Sequence, residues 1–458
     1  MTVDLTTQGG PTNHSGSPPR QTVWPTAQKT RLENGLQLVT VPLPHLYAVT
    51  VMLFVRVGSR YETFEDSGIS HLLEHVLFRG CEGFPTTYDF NAAAEAVSTG
   101  IDAATSRDFT TFEIGCAPDK LDDVLGLLSA MVSAPRLADV ELEKKIIAEE
   151  LQDELDEGGR DIDADNVAKM RLFPDSSLGL KVGGRLERIA SLTLQDCQRW
   201  FKRHYGAKNL VLVVAGPMTH PAVADLVSER FGILPPGEAQ RPTIARERSD
   251  LPALDYVKDT GRQSEVVLTW VLPAEEHPDW ADLLVAQRVL DDGSCAKLRH
   301  RIVDQLGLAY HAGADLELYD GLSIFSVNTQ TRHGQVVEVV DEVLAVLADL
   351  TANGPEPEPL KRARSRLLFD LETLRDSTPS IAYWFGLQHS FQGADTLERR
   401  VERVMGVTST SLQTAAARHL RPSRMQLTIV GNISALDRAA LRRRIHRIRS
   451  ADKGLRHV

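Results

Sequence analysis

The sequence predicts an α+β protein of two duplicated halves, each a mainly antiparallel sheet with helices packed on it, and three observations carry that prediction. Short apolar or alternating runs are interspersed with longer segments whose apolar residues recur every three or four positions. The order of these segments over residues 31–231 recurs over residues 263–432. Each half also closes on an equivalent apolar run, NLVLVVAG (209–216) and MQLTIVGN (425–432). At 458 residues the chain is in any case too long for one hydrophobic core.

In the first half, RLENGLQLVTVPL (31–43) and YAVTVMLFVRVG (47–58) read as two strands. Helical periodicity follows in SGISHLLEHVLFRG (67–80), YDFNAAAEAV (88–97), DKLDDVLGLLSAMV (119–132) and DVELEKKIIAEELQDEL (139–155). Between the second and third of these, STGIDAATS (98–106) and DFTTFEIGCA (108–117) read as a strand pair. A helix over 192–205, the strand 209–216 and a helix over 222–231 complete the half. The prolines and mixed charges of LPPGEAQRPTIARERSDLP suggest a linker. The second half then runs strand (263–273), helix (279–292), strand pair (308–318 and 322–330), three helices (336–350, 358–374, 411–420) and the closing strand. The expected units are a disordered tail (1–26), an N-terminal domain (27–235), a linker (236–254), a C-terminal domain (255–447) and a tail (448–458).

Composition narrows the function. The net charge of −11 is spread along the chain, which argues against a nucleic-acid partner. No stretch approaches the roughly 18 apolar residues of a membrane span, and the Thr-, Gly-, Ser- and Pro-rich start has no signal-peptide core, so a cytoplasmic protein is expected. Cys81, Cys116, Cys197 and Cys295 form no CxxC pair and read as small buried side chains in a reducing compartment.

The chemistry centres on HLLEH. His71 and His75, four residues apart on a helix, aim two imidazoles from one face toward a single ion, with Glu74 beside them. A solvated His/Glu helix face is the plainer alternative. A catalytic zinc needs a third protein ligand and an open position. The acidic helix offers Glu143, Glu149, Glu150 and Glu154, and spacing alone does not choose among them.

HxxEH followed by a glutamate on an acidic helix resembles the pitrilysin family of metallopeptidases, the inverzincins, including mitochondrial processing peptidase-like and bacterial two-subunit members. The likeness extends through RLENGLQLV, VGSRYE, SGISHLLEHVLFRG, TSRDFTTFEI, VELEKKIIAEELQDE, NLVLVVAG and GLAY, nearly all of residues 30–435. It implies a zinc-dependent endopeptidase with one zinc ion per chain, acting on peptides or unfolded small proteins inside a chamber. By the same resemblance His71, His75 and Glu150 bind the metal, Glu74 is the general base, and Glu143 supports a ligand from behind. Residues 100–106 correspond to a strand that pairs with extended substrate through Asp102, Ala103 and Ala104, with Asp102 where relatives have Asn. An ordinary interior strand is the alternative for this segment.

The chain departs from the family at one place. Relatives carry an Arg seven residues before the Tyr of GLAY, and the two help bind substrate and steady the oxyanion. Here the positions hold Val303 and Tyr310, and valine neither donates hydrogen bonds nor carries charge. Arg299 and Arg301 lie nearby but are expected on other helix faces. The resemblance therefore implies a heterodimer with a sister chain that supplies the Arg/Tyr pair, a homodimer relying on Tyr310 alone, or an active monomer folded into two facing halves. A non-catalytic structural or peptide-binding subunit is the competing reading, and a zinc hydrolase of non-peptide substrates a third.

Overall fold

The computed structural model describes residues 24–454 apart from Ile244, Arg246, Ser249 and Leu251, so the expected N-terminal tail lies almost wholly outside the described residues. In the first half, β1 (Gln28–Arg31), β2 (Gln37–Pro42), β3 (Val49–Val55), β4 (Ser98–Thr105), β5 (Thr110–Cys116) and β6 (Leu210–Gly216) form one sheet in the order β1-β2-β6-β3-β5-β4. In the second, β7 (Asp255–Lys258), β8 (Ser264–Leu272), β9 (Ala309–Tyr319), β10 (Leu322–Thr331) and β11 (Gln426–Gly431) form another, ordered β7-β11-β8-β10-β9. Leaving out β1, the two orders coincide, and β2/β6 and β7/β11 are the corresponding parallel pairs in otherwise antiparallel sheets. The α+β class and the duplication therefore hold strand by strand.

The first half carries α1 (Ile69–Leu77), α2 (Thr87–Val97), α3 (Leu121–Ser133), α4 (Val140–Glu150), α5 (Ala164–Leu172), α6 (Leu186–Ser191), α7 (Leu194–His204) and α8 (His220–Phe231). The second carries α9 (Trp280–Leu290), α10 (Val336–Asn353), α11 (Pro357–Thr373), α12 (Thr378–Ser390), α13 (Leu397–Gly406), α14 (Ser409–His419) and α15 (Ala435–Gly454). None of the described helices is long and apolar enough to cross a membrane.

Several expectations are corrected. The single strand read over 31–43 is a hairpin, β1 and β2, reversing at Asn34-Gly35, where Gly35 has φ +97°. The acidic helix ends at Glu150, and residues 151–154 tighten into a 3₁₀ turn. The strand β7 and the helices α5, α6, α12, α13 and α15 had no counterpart in the sequence reading, and α15 runs past residue 447, so the expected C-terminal tail begins inside a helix. Cys81, Cys116 and Cys197 are buried, but Cys295, in the turn after α9, is exposed.

Each sheet packs one face on its own helices, giving one large core per half. The opposite faces are covered by exchange. Ile381, Ala382 and Phe385 of α12, from the second half, pack on Val39, Val41, Met52, Phe54, Val211 and Val213 of the first sheet. Ala164 and Ala168 of α5, from the first half, pack on Val267 and Val430 of the second. Polar staples reinforce the exchange. Buried Arg60 donates to Asp108 at 2.9 Å and to the carbonyl of Asp320 at 2.8 Å, and Asp108 accepts the backbone N–H of Asp320. Lys169 of α5 is buried against Glu317 of β9 at 2.6 Å.

Candidate metal centre

The helix α1 starts in a crowded corner. Gly68 has φ +92°, and a Cβ there would meet Ile189 at 2.3 Å and the backbone of Gly184 at 3.0 Å, so glycine is required. No residue next to the helix caps it. The buried carboxyl of Glu62 does so instead, accepting the backbone N–H groups of Gly68 at 2.8 Å and Ser70 at 2.9 Å. Burial pushes that carboxyl up to about 7. Leu72, Leu73, Val76 and Leu77 face the core, which leaves His71, Glu74 and His75 at its margin beside β4 and α4.

His71 and His75 present their Nε2 atoms 3.2 Å apart, and Glu150 Oε2, from the last residue of α4, lies 3.9 Å from the first and 3.6 Å from the second. Donor atoms around a tetrahedral zinc at bond lengths near 2.0–2.1 Å stand about 3.4 Å apart. The three atoms therefore fit one such ion. The hydrogen bonding of His75 and the burial of His71 agree with that fit. Buried Glu143 accepts Nδ1–H of His75 at 3.1 Å, which leaves the Nε2 lone pair of His75 free for a metal. Arg79 holds the other oxygen of Glu143. Burial, with His75 adding, pushes His71 down to about 4, so its imidazole is neutral near pH 7. Glu74, raised by burial and held back by Thr105, accepts the Thr105 hydroxyl on Oε2 at 2.6 Å.

The proposed substrate segment is β4, the edge strand of its sheet, which among the described residues pairs only with β5. Asp102 and Ala104 are exposed on one face, and Ala103 is partly buried against the core on the other. Tyr310 makes no hydrogen bond to these residues. That residue stands 91% exposed on β9, the edge strand of the other sheet, and its hydroxyl makes no hydrogen bond among the described residues. Val303 packs on the second core from a π-helical turn (Arg299–Gln305), Arg301 pairs with Glu342 at 2.7 Å, and Arg299 is exposed.

Two features had no signal in the sequence. A cleft of about 670 Å³, with none of the HLLEH residues in its lining, lies between α5 and the second sheet, with Asp165, Lys169 and Glu317 in its wall. A second group of possible donors, His277, Asp279 and His419, also converges. However, Asp279 already accepts from Arg418 at 2.6 Å and pairs with His419 at 2.8 Å. His277 Nδ1 accepts the backbone N–H of Asp279, so in the neutral ring the proton sits on Nε2. This group is a charge-paired helix start and does not suit a cation.

Two α+β halves with an HxxEH helix on the first sheet and a distant glutamate turned toward it define the inverzincin class of peptidase folds. A model described as insulinase, peptidase family M16, matches residues 39–170, and one described as the peptidase M16 inactive domain matches residues 191–367. The chain belongs to the M16, or pitrilysin, peptidase family. It is 29% identical to an uncharacterized zinc protease of Mycobacterium leprae, covering 82% of this chain and 87% of that one. It is 26% identical to the probable beta subunit of the mitochondrial-processing peptidase of Schizosaccharomyces pombe, covering 91% and 93%. Among solved structures, a protease from Helicobacter pylori matches with a TM-score of 0.81 at 22% identity, over 89% of this chain and all of that one. A structure described as a peptidase M16 inactive domain, from Pseudomonas fluorescens, matches at 0.82 and 18% identity, over 90% and 98%.

Proposed function

We propose that this chain is a zinc-dependent endopeptidase acting on extended peptides or unfolded small proteins. The observation that carries the reading is the convergence of three metal-donor atoms beside Glu74, next to the edge strand of the sheet. His71, His75 and Glu150 would hold the ion, and Glu143 keeps His75 in the metal-binding tautomer. When bound, zinc supplies Lewis acidity, acidifying water and polarising the scissile carbonyl. Glu74 takes the proton from the attacking water and delivers it to the leaving amine. The free edge of β4 offers main-chain hydrogen bonds to an extended peptide, which tolerates many sequences. Zinc protease relatives support the same reading.

A second reading is favoured by Val303, which stands where relatives carry the Arg of the pair. The chain is then the zinc-bearing member of a dimer whose sister chain supplies an Arg/Tyr pair, or a subunit that holds peptides without cutting them. One experiment separates these readings: hydrolysis of a quenched-fluorescent peptide library by the purified chain, with chelator, zinc add-back, and a sister chain carrying the pair. Chelator-sensitive cleavage restored by zinc supports the peptidase. Turnover that appears only with the sister chain supports the dimer, and silence in every arm with zinc bound supports the holding subunit.

A further inference from the structure

The geometry points to Thr105 as the positioning residue for the general base, and through it to β4 as the element that sets substrate and base in one register. The inference rests on the peptidase reading above. Thr105 is the last residue of the edge strand, and its hydroxyl lies 2.6 Å from Glu74 Oε2, with one proton to give. Its other hydroxyl neighbour is the poorer acceptor of that proton. Thr110, opposite Thr105 in the β4/β5 register, gives its own proton to the carbonyl of Val57 at 3.0 Å and so could only accept from Thr105, at 3.3 Å. The shorter contact and the carboxylate acceptor direct the Thr105 hydrogen at Glu74.

Two consequences follow for the reaction. Oε2 accepts from Thr105 whether the carboxyl is ionised or protonated, so the proton in transit goes on and off Oε1, and the side chain need not swing between the two half-reactions. Thr105 also belongs to the strand whose free edge would pair with substrate. A peptide bound in register along β4 therefore meets a base whose position is set by that same strand. Slippage of a substrate by one residue turns every side chain to the other face and leaves the scissile bond out of line with Glu74.

The test uses the full chain with Thr105→Val, which keeps shape and strand preference but removes the hydroxyl, and Thr105→Ser, which restores it. We expect Thr105→Val to lower kcat by about 10- to 100-fold with KM within about two-fold and zinc content unchanged, and Thr105→Ser to recover most of the loss. Unchanged kcat in Thr105→Val, or a loss that Thr105→Ser does not recover, overturns the inference. A readout independent of turnover is a thermal double-mutant cycle of Thr105→Val with Glu74→Ala in the zinc-free protein. Non-additive Tm shifts support the bond, and additive shifts overturn it. Wild-type protein without chelator-sensitive turnover, both alone and with the sister chain, overturns the peptidase reading instead, and the cycle then still decides the bond.

Discussion

Glu74 sits one residue from His75, yet its carboxylate accepts from Thr105 and is not among the converging donors His71, His75 and Glu150. Glu74→Gln is therefore expected to keep stoichiometric zinc while peptide turnover falls by about 10²- to 10⁴-fold, checked by metal analysis beside the library assay. Loss of the metal would make Glu74 a ligand. Glu62 carries a pH prediction of its own. Its carboxyl is raised from 4.5 to about 7 by burial, so between those pH values the native state holds a proton that the unfolded state has lost. Stability should then decline as pH rises through that window, by about 3 kcal/mol, and Glu62→Gln should flatten the decline in denaturant titrations at pH 5 and 7.5. The two imidazoles and Glu74 were legible in the sequence because one helical turn brings them together. Glu150 was not legible from spacing, since four carboxylates share its helix region, and family likeness was needed to single it out. Glu62 as a cap and Thr105 as a partner of Glu74 had no local signal, because both bonds cross loops.

At the level of elements, the helices that sequence patterning found have one apolar stripe facing their own sheet, as in α3, where Leu121, Val124, Leu125, Leu128 and Val132 are buried. The helix α12 shows no such stripe. Ile381, Ala382 and Phe385 face the first sheet, while Trp384 leans on the second core as well, so apolar residues surround the helix. Its close seating is readable at Gly386, where a Cβ would stand 1.8 Å from the buried ring of Phe54. An alanine in a helix interior ordinarily gains about 1 kcal/mol over glycine. Here the sign should reverse, with Gly386→Ala lowering stability by about 1–3 kcal/mol through overpacking. A raised denaturation midpoint for that variant would mean that α12 is not held against Phe54.

For the whole molecule, the crossing of α5 and α12 between halves means that neither sheet is covered without the other half. The buried Arg60–Asp108–Asp320 staple lies at this junction, and it accounts for Arg60 in VGSRYE and Asp108 in TSRDFTTFEI, motif residues that touch no metal donor. Asp108→Ala strips the buried guanidinium of its partner, and the expected cost of about 3–5 kcal/mol should appear in chemical denaturation of the full chain. A smaller loss would mean that water or Thr243, whose carbonyl also receives Arg60, takes over the charge. By itself, the sequence determined the α+β class, the duplicated order of strands, the HLLEH helix and the acidic helix that follows. These are local patterns, set by side-chain period within single elements. Only the tertiary structure decided that the halves exchange helices, that β4 is a sheet edge, that Thr105 and Glu143 reach the metal-binding helix, and that Tyr310 stands on the other sheet. Each of those facts depends on contacts between residues far apart in the chain, and no periodicity within one segment encodes which distant face it will meet.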